Sequence, residues 1–218
     1  MRHLCLFMKS LATQLVLALL ASLAVAQQSD RAKVKAPPQK SGAAIVYSEG
    51  GAFLIEGPKG WIVDRETGQQ IGTCCVYYPM GATWDDAETV MYPNIATKGP
   101  GQKTLAELMD SDLSEFRDHN PGMAYEDGDD IPLKNHRSAK LRYFYHVNRG
   151  SSEAVAYIDE PKIVALVVVS SRTKKGLDES IPLLRSALQT YAYMDVKFAN
   201  DSKPEKVQSV QSPKENLQ

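Results

Sequence analysis

Histidine and cysteine, which supply many protein metal ligands, are scarce in this sequence. Its 218 residues include four histidines and three cysteines, and no two histidines have the H-x-H or H-x-x-x-H spacing of a zinc site. The sequence also lacks a P-loop, a dinucleotide fingerprint and a G-x-S-x-G nucleophile motif. We therefore predict no metal, no cofactor and no catalytic residue, and we expect that the protein is not an enzyme.

An excess of charge of either sign is missing as well. The chain has 25 basic and 26 acidic residues, a formal net charge of −1. It therefore has no strong field to attract nucleic acid or an anionic membrane. The acidic residues 126–130 lack the spacing of a calcium loop and are predicted to form a solvated turn. Nucleic acid is not an expected partner.

The N-terminal residues 1–26 have the pattern of a secretory signal peptide. Basic Arg2 and Lys9 flank the start of an apolar segment, residues 11–25, and Ala24-Val25-Ala26 is an A-x-A cleavage site. The apolar segment is too short for a good membrane-spanning helix. We predict cleavage after this site and export to the periplasm or the extracellular space.

The mature chain is predicted to hold one folded domain between two flexible ends. Gln27, rather than a cysteine, follows the cleavage site, so no lipid anchor or other stable membrane anchor is expected. Residues 27–42 have the composition of a flexible linker, and residues 199–218 that of a disordered tail. Residues 43–198 are the expected domain.

The two cysteines of the mature chain, Cys74 and Cys75, are adjacent in a predicted strand. Neighbouring strand residues point to opposite faces, so the two thiols cannot bridge without local distortion. We expect one buried and one partly exposed thiol, each packed as a small apolar group. A vicinal disulfide or an intermolecular bridge is the alternative, because export permits oxidation.

Strand and helix signals alternate along the predicted domain. Thr104 and Glu107 form a capping box at the start of one helix, and Asp178 is expected to cap a final helix. Pro93 predicts that its strand lies at an edge or contains a bulge. The predicted strands are residues 52–56, 61–63, 73–78, 88–96, 139–147, 154–158 and 163–170. This order predicts an α+β fold, with a largely antiparallel β-sheet covered by helices.

Three features of the predicted domain occur together in one known superfamily. They are Pro58-Lys59-Gly60-Trp61 after an early strand, the capped helix that follows Thr104, and a final helix after an apolar hairpin. Over residues 51–193 the chain thereby resembles an exported bacterial member of the PsbP-like α/β/α sandwich superfamily. That superfamily includes extrinsic proteins of the photosynthetic oxygen-evolving complex and a nuclear-transport protein that binds a small GTPase. The resemblance implies a binding or assembly protein with no catalytic residue set.

The segment from Pro58 to Trp61 interrupts an apolar run. Pro58 cannot extend a strand ladder and Gly60 permits a tight reversal. Trp61 is expected to fold beneath a helix as a structural anchor of the core, with its N–H reaching a partner. Stacking of Trp61 on a ligand is the alternative.

The loop Thr83-Trp84-Asp85-Asp86 is the main candidate for a ligand-binding or partner-binding site. It is either a single helical turn capped by Thr83, or a rim that presents Trp84, Asp85 and Asp86 to a cation, a sugar or a basic partner. Tyr92 follows on the next strand. Basic residues around Lys140 and Arg142 are expected to be a solvated sheet face, or a docking surface for an acidic partner.

These observations favour an exported, non-enzymatic domain that binds an unknown protein or a cell-envelope component. A small-ligand carrier, with a pocket between sheet and helix near Trp84 and Tyr92, is the first alternative. A hydrolase of unrecognised type is the second alternative, and it requires a nucleophile and a base within hydrogen-bond reach.

Overall fold

Residues 39–40, 42–99, 104–148 and 150–195 are described by a computed structural model and belong to one compact unit. The predicted signal peptide, most of the predicted linker and the predicted C-terminal tail lie outside these ranges. Among the residues described, no helix is both long enough and apolar enough to cross a membrane.

Strands and helices occur in the order expected of an α+β fold. The helices are α1 (Arg65–Gln70), α2 (Leu105–His119) and α3 (Lys174–Leu188). The strands are β1 (Gln39–Lys40), β2 (Ala43–Ser48), β3 (Gly51–Glu56), β4 (Trp61–Asp64), β5 (Val76–Pro79), β6 (Thr89–Thr97), β7 (Ala124–Pro132), β8 (Ser138–Val147), β9 (Ser151–Asp159), β10 (Ile163–Ser171) and β11 (Ala192–Met194). All pairings between them are antiparallel, which confirms the predicted fold class.

The strands form one large and one small sheet. The large sheet has the order β1-β4-β5-β6-β10-β9-β8-β7, and the small sheet has the order β11-β3-β2. One face of the large sheet shares an apolar cluster with α3 and the small sheet, and we call it the packed face. The opposite face shares a second cluster with α2, and we call it the α2 face.

The break at Pro58 is where the chain leaves one sheet for the other. β3 belongs to the small sheet and β4 to the large sheet. Gly60 has φ +83°, and the N–H of Trp61 donates to the carbonyl of Pro58 at 3.1 Å, which closes the turn. Trp61 is buried in the cluster of the packed face, so its side chain lies in the core.

The two long helices both begin after a threonine cap, but only α2 has a capping box. Thr104 Oγ1 accepts from the N–H of Glu107 at 3.2 Å, and the Glu107 carboxylate accepts from the N–H of Thr104 at 2.7 Å, as the capping box predicts. The prediction for the last helix was wrong. Thr173 caps α3 by accepting from the N–H of Gly176 at 3.0 Å, because the helix starts one turn before its apolar stripe. Asp178 lies inside the helix.

Two strand predictions near the candidate loop also need correction. β5 begins at Val76, because residues 73–75 form a bend after the unpredicted helix α1. β6 lies inside the sheet rather than at its edge, although it contains Pro93. β5 pairs with β6 only at Tyr77 and Met91, and Thr73 Oγ1 donates to the Pro93 carbonyl on that side. Pro93 is tolerated because no strand there needs its missing N–H.

The acidic residues 126–130 lie on β7, an edge strand, rather than in a turn. Asp127 accepts from Arg142 Nε at 2.6 Å, and Asp130 accepts from Lys140 Nζ at 2.7 Å. Arg142 is only 7% exposed and also donates to the carbonyl of Met109 in α2 at 2.8 Å. The expectation of a solvated face is therefore wrong for Arg142, which is buried and joins β7, β8 and α2, whereas Lys140 is exposed.

Candidate functional site

The α2 face carries two separate apolar clusters with a groove between them. One cluster, under α2, includes Phe144, which stacks on Phe116 of the helix at a centroid distance of 4.1 Å. The other lies under residues 80–88, which we call the Trp84 loop, and includes Val76 and Tyr78. Tyr92 packs against both clusters and therefore lies where they meet.

The groove consists of two adjoining depressions. The first has a volume of about 630 Å³, and its walls include Trp84, Asp85, Tyr92, Glu153, Ser170 and Arg172. The second, about 400 Å³, runs beside α2. Three residues, Tyr92, Asn148 and Glu153, line both depressions. Glu153 therefore lies at the junction of the two halves.

Glu153 is an ionisable side chain among the buried residues of β9. It is only 3% exposed, and its Oε1 accepts from Asn148 Nδ2 at 2.8 Å and from Ser170 Oγ at 3.0 Å. Burial raises the pKa of Glu153, and the nearby Asp112 carboxylate raises it further, while the two hydrogen bonds act in the opposite direction. Both donors are neutral, and none of the ion pairs found in the described ranges includes Glu153.

Asp112 on α2 is the second partly buried acid of the groove. Burial raises its pKa, although the hydroxyl of Tyr157 donates to its carboxylate. Glu115 lines the same half of the groove, and Asp85 and Glu88 line the other half. The basic residue Arg172 also lines it, and its guanidinium donates to the backbone carbonyl of Asp85. Acidic groups therefore outnumber basic ones along the groove.

The structure places three of the four predicted binding residues along the groove. Trp84 meets Tyr92 edge to face, with ring centroids 6.3 Å apart and an interplanar angle of 67°. Trp84, Asp85 and Tyr92 all line the first depression. Asp86 has another role, since its carboxylate accepts from the N–H of Thr83 at 2.5 Å. That bond lowers the pKa of Asp86.

The Trp84 loop has the helical turn that one interpretation of its sequence predicted, with a different cap. It contains one helical turn, in which the N–H of Ala87 donates to the carbonyl of Thr83 at 2.9 Å, but Asp86 rather than Thr83 provides the side-chain cap. The turn directs Trp84 and Asp85 to the groove. Sequence reasoning missed Glu153, Asn148 and Ser170, and the available signal was a glutamate at the start of an apolar strand.

Potential metal ligands within the described ranges are scattered rather than grouped. No three His, Cys, Asp or Glu side chains there form a group that could hold a metal ion. His119 Nδ1 contacts the backbone carbonyl of Glu115 at 2.8 Å, and His146 is exposed on β8. Cys75 has the thiol of Cys74 as its side-chain partner.

Comparisons with known proteins find similarity in structure only. No protein-family model matches the chain, and no curated protein matches it. The solution structure of cyanobacterial PsbP (CyanoP) from Synechocystis sp. PCC 6803 is 13% identical, with a TM-score of 0.44, over 72% of this chain and 94% of that one. A point mutant of the protein Mog1 is 13% identical, with a TM-score of 0.42, over 71% and 97%. This similarity concerns the PsbP-like α+β fold and carries no argument about function.

Proposed function

We propose that this protein is an exported, non-enzymatic binding domain of the PsbP-like superfamily, whose groove holds a segment of a partner protein that carries a basic side chain. The carboxyl group of Glu153 is the observation that carries the proposal. It is nearly inaccessible, lies at the junction of the groove, and has only neutral hydrogen-bond donors. Burying an unpaired carboxylate is costly, and a cation from a ligand would offset that cost.

The walls of the groove suit the same ligand. Trp84 and Tyr92 provide aromatic surface beside the carboxyl groups, and aromatic rings attract Lys and Arg side chains. The acidic residues Asp85, Glu88 and Glu115 would favour the approach of a basic segment. The two depressions adjoin at Glu153, which leaves room for residues on either side of the basic one.

Other observations support the export and the non-enzymatic role that we propose. The signal-peptide pattern of residues 1–26 and the resemblance around Pro58-Lys59-Gly60-Trp61 support an exported superfamily member. In the part of the chain that the structure describes, no histidine is hydrogen-bonded to a serine, threonine or cysteine side chain. A hydrolase of the serine, threonine or cysteine type would need such a nucleophile and base within reach of each other.

A small-ligand carrier is the second candidate, and the size of the groove favours it. The first depression, about 630 Å³, falls within the range of roughly 300–1,000 Å³ that is typical of small-molecule sites. Such a ligand would also be expected to carry an amine or guanidine group, because the same carboxyl groups would surround it.

An array of short peptides, each varied at one position among Arg, Lys, Gln and norleucine, tests the proposal directly. Glu153→Gln removes the carboxylate of the groove, and Glu179→Gln removes an exposed carboxylate on α3 as a matched control. We expect the wild type and Glu179→Gln to retain Arg and Lys peptides, and Glu153→Gln to bind them about tenfold more weakly, a difference of about 1.4 kcal/mol.

Two results would overturn or redirect the proposal. Retention that does not depend on a basic residue, or equal binding by Glu153→Gln, would reject the role of Glu153. Equal affinity for a free amine, such as agmatine, and for the best peptide would favour the carrier, because the flanking peptide would then contribute nothing.

A further inference from the structure

Cys74 and Cys75 have a geometry that a β-strand does not allow. The two residues lie in the bend between α1 and β5, and their Sγ atoms are 3.3 Å apart. The expectation of thiols on opposite faces was wrong because it assumed a strand at these positions. The bend brings both sulfur atoms to one side of the chain.

Neighbouring residues hold this bend in place. The N–H of Thr73 donates to the carbonyl of Gly68 at 2.9 Å, and its hydroxyl donates to the carbonyl of Pro93. Gly68 in α1 lies so close to the backbone of Cys75 that a Cβ at Gly68 would be 2.3 Å from the Cys75 Cα. The pair of thiols is therefore positioned by α1 and β6, not by the local sequence alone.

The two thiols differ in accessibility and in acidity. Cys75 is fully buried, whereas Cys74 is partly exposed. The hydrogen bond between the thiols, with help from the charge of Arg65, lowers the pKa of Cys74, while the same hydrogen bond and burial raise the pKa of Cys75. Cys74 is thus placed to react first, and Cys75 is placed to react second.

We propose that Cys74 and Cys75 form a thiol–disulfide exchange site that accepts disulfides of other thiol compounds and closes to a vicinal disulfide. The Cys74 thiolate attacks one sulfur of the incoming disulfide, forming a mixed disulfide and releasing the first thiolate. Cys75 then loses its proton and attacks Cys74 Sγ, which releases the second thiolate. In the net reaction two protein thiols are oxidised, and the incoming disulfide is reduced to two thiols that take up both protons.

The resulting disulfide would be easily reduced again. Cα atoms of adjacent residues lie about 3.8 Å apart across a trans peptide, which is less than the roughly 4.4 Å minimum of ordinary disulfides. A bond closed over this distance is strained, and strained disulfides belong to the labile class rather than the structural class. The site therefore suits reversible exchange.

Reaction with glutathione disulfide tests the inference without use of the groove. Every protein in this test is the full chain with Cys5→Ser, including the reference called wild type here, so that only Cys74 and Cys75 can react. After acid quenching, intact mass is expected to show that the monomer has lost two hydrogen atoms and carries no glutathione. Low concentrations of dithiothreitol should reverse this change.

Two single variants separate the roles of the thiols. Cys75→Ser is expected to accumulate a stable glutathione adduct on Cys74, since no second thiol is available to release it. Cys74→Ser is expected to react at least about tenfold more slowly, because its remaining thiol is buried. Thermal melting checks that each variant is folded. If a variant does not fold, the mass change of the wild type still tests the inference.

Three outcomes would overturn the inference. They are a wild type that keeps glutathione on one cysteine without closing the ring, a wild type that forms disulfide-linked dimers, and a folded Cys74→Ser variant that reacts as fast as the wild type.

Discussion

The two faces of the large sheet are built in contrasting ways. The packed face meets α3 and the small sheet through apolar side chains such as Phe53, Leu177 and Leu184, all fully buried. The α2 face contains a similar apolar cluster, but also the buried charged residues Arg142 and Glu153. A buried acid, Glu160, also lies beside the packed face, but Arg137 pairs with it, whereas the donors to Glu153 on the α2 face are neutral.

Arg142 and Glu153 show that these buried charges are of two kinds. Arg142 is paired with Asp127 and with a backbone carbonyl of α2, so it joins structural elements. Glu153 has only neutral donors and faces the groove. A charge with a partner fits a structural role, and a charge without one leaves room for a ligand to supply it.

The largest expected effect separates the two faces by stability. Leu184→Ala removes a fully buried side chain from the packed face, and we expect the free energy of unfolding to fall by about 2–5 kcal/mol. Urea unfolding measures this loss. The peptide affinity of the folded variant should match the wild type, and a parallel loss of affinity would contradict the separation of the faces.

The second effect concerns Glu153 and pH. A raised pKa in the folded state means that the wild type loses stability as pH rises from the ordinary value of 4.5 through the raised one. The glutamine of Glu153→Gln cannot ionise, so this variant should lack that loss of stability. The free energy of unfolding of the variant should therefore rise relative to that of the wild type over this pH range. Urea unfolding at a series of pH values checks the sign, and a constant difference between the two proteins would contradict it.

A smaller effect tests the aromatic wall of the groove. Trp84→Ala removes the ring that contacts Tyr92, and we expect affinity for a basic peptide to fall by about 0.5–1 kcal/mol. Tyr47→Ala, at an exposed aromatic residue of β2 in the small sheet, is the matched control and should bind normally. Fluorescence anisotropy with a labelled peptide measures both, and an equal loss in the two variants would argue against a specific wall.

The smallest effect is expected on the surface of α3. Lys175 and Glu179 form an exposed ion pair at 3.7 Å, so Lys175→Ala should change the free energy of unfolding by no more than about 0.5 kcal/mol. Thermal unfolding of Lys175→Ala and Leu184→Ala compares an exposed position with a buried position of the same helix. A change near that of Leu184→Ala would mean that surface charge, rather than apolar packing, stabilises this face.

Local signals predicted the parts of the fold that depend on nearby residues. The capping box of Thr104 and Glu107 located the start of α2, and the apolar hairpin of β9 and β10 was found from composition and turn residues. Such elements need little tertiary support. The turn from Pro58 to Trp61 was also recognised, although nothing local shows that the two strands it joins belong to different sheets.

Elements that depend on distant contacts were missed. α1 has no apolar stripe, and it is held by the cap of Asp64 on the N–H of Thr67 and by the contact of Gly68 with Cys75. Pro93 fits a central strand only because the neighbouring strand pairs over a short length. Trp84 and Tyr92 were recognisable as candidates by residue type. Glu153 was not, because its burial and its position at the groove depend on β6, β10 and the end of β8.

Isothermal titration calorimetry of the wild type with the best arginine-containing peptide, in two buffers of different ionisation enthalpy, tests the central claim most directly. A ligand cation favours the ionised form of Glu153 and so lowers its pKa. In titrations at a series of pH values from 4.5 upward, the wild type must therefore release protons wherever the free protein is still partly protonated at Glu153, and the measured heat must differ there between the buffers. Glu153→Gln must lack that difference. Binding without proton release, or equal release by Glu153→Gln, would contradict the account.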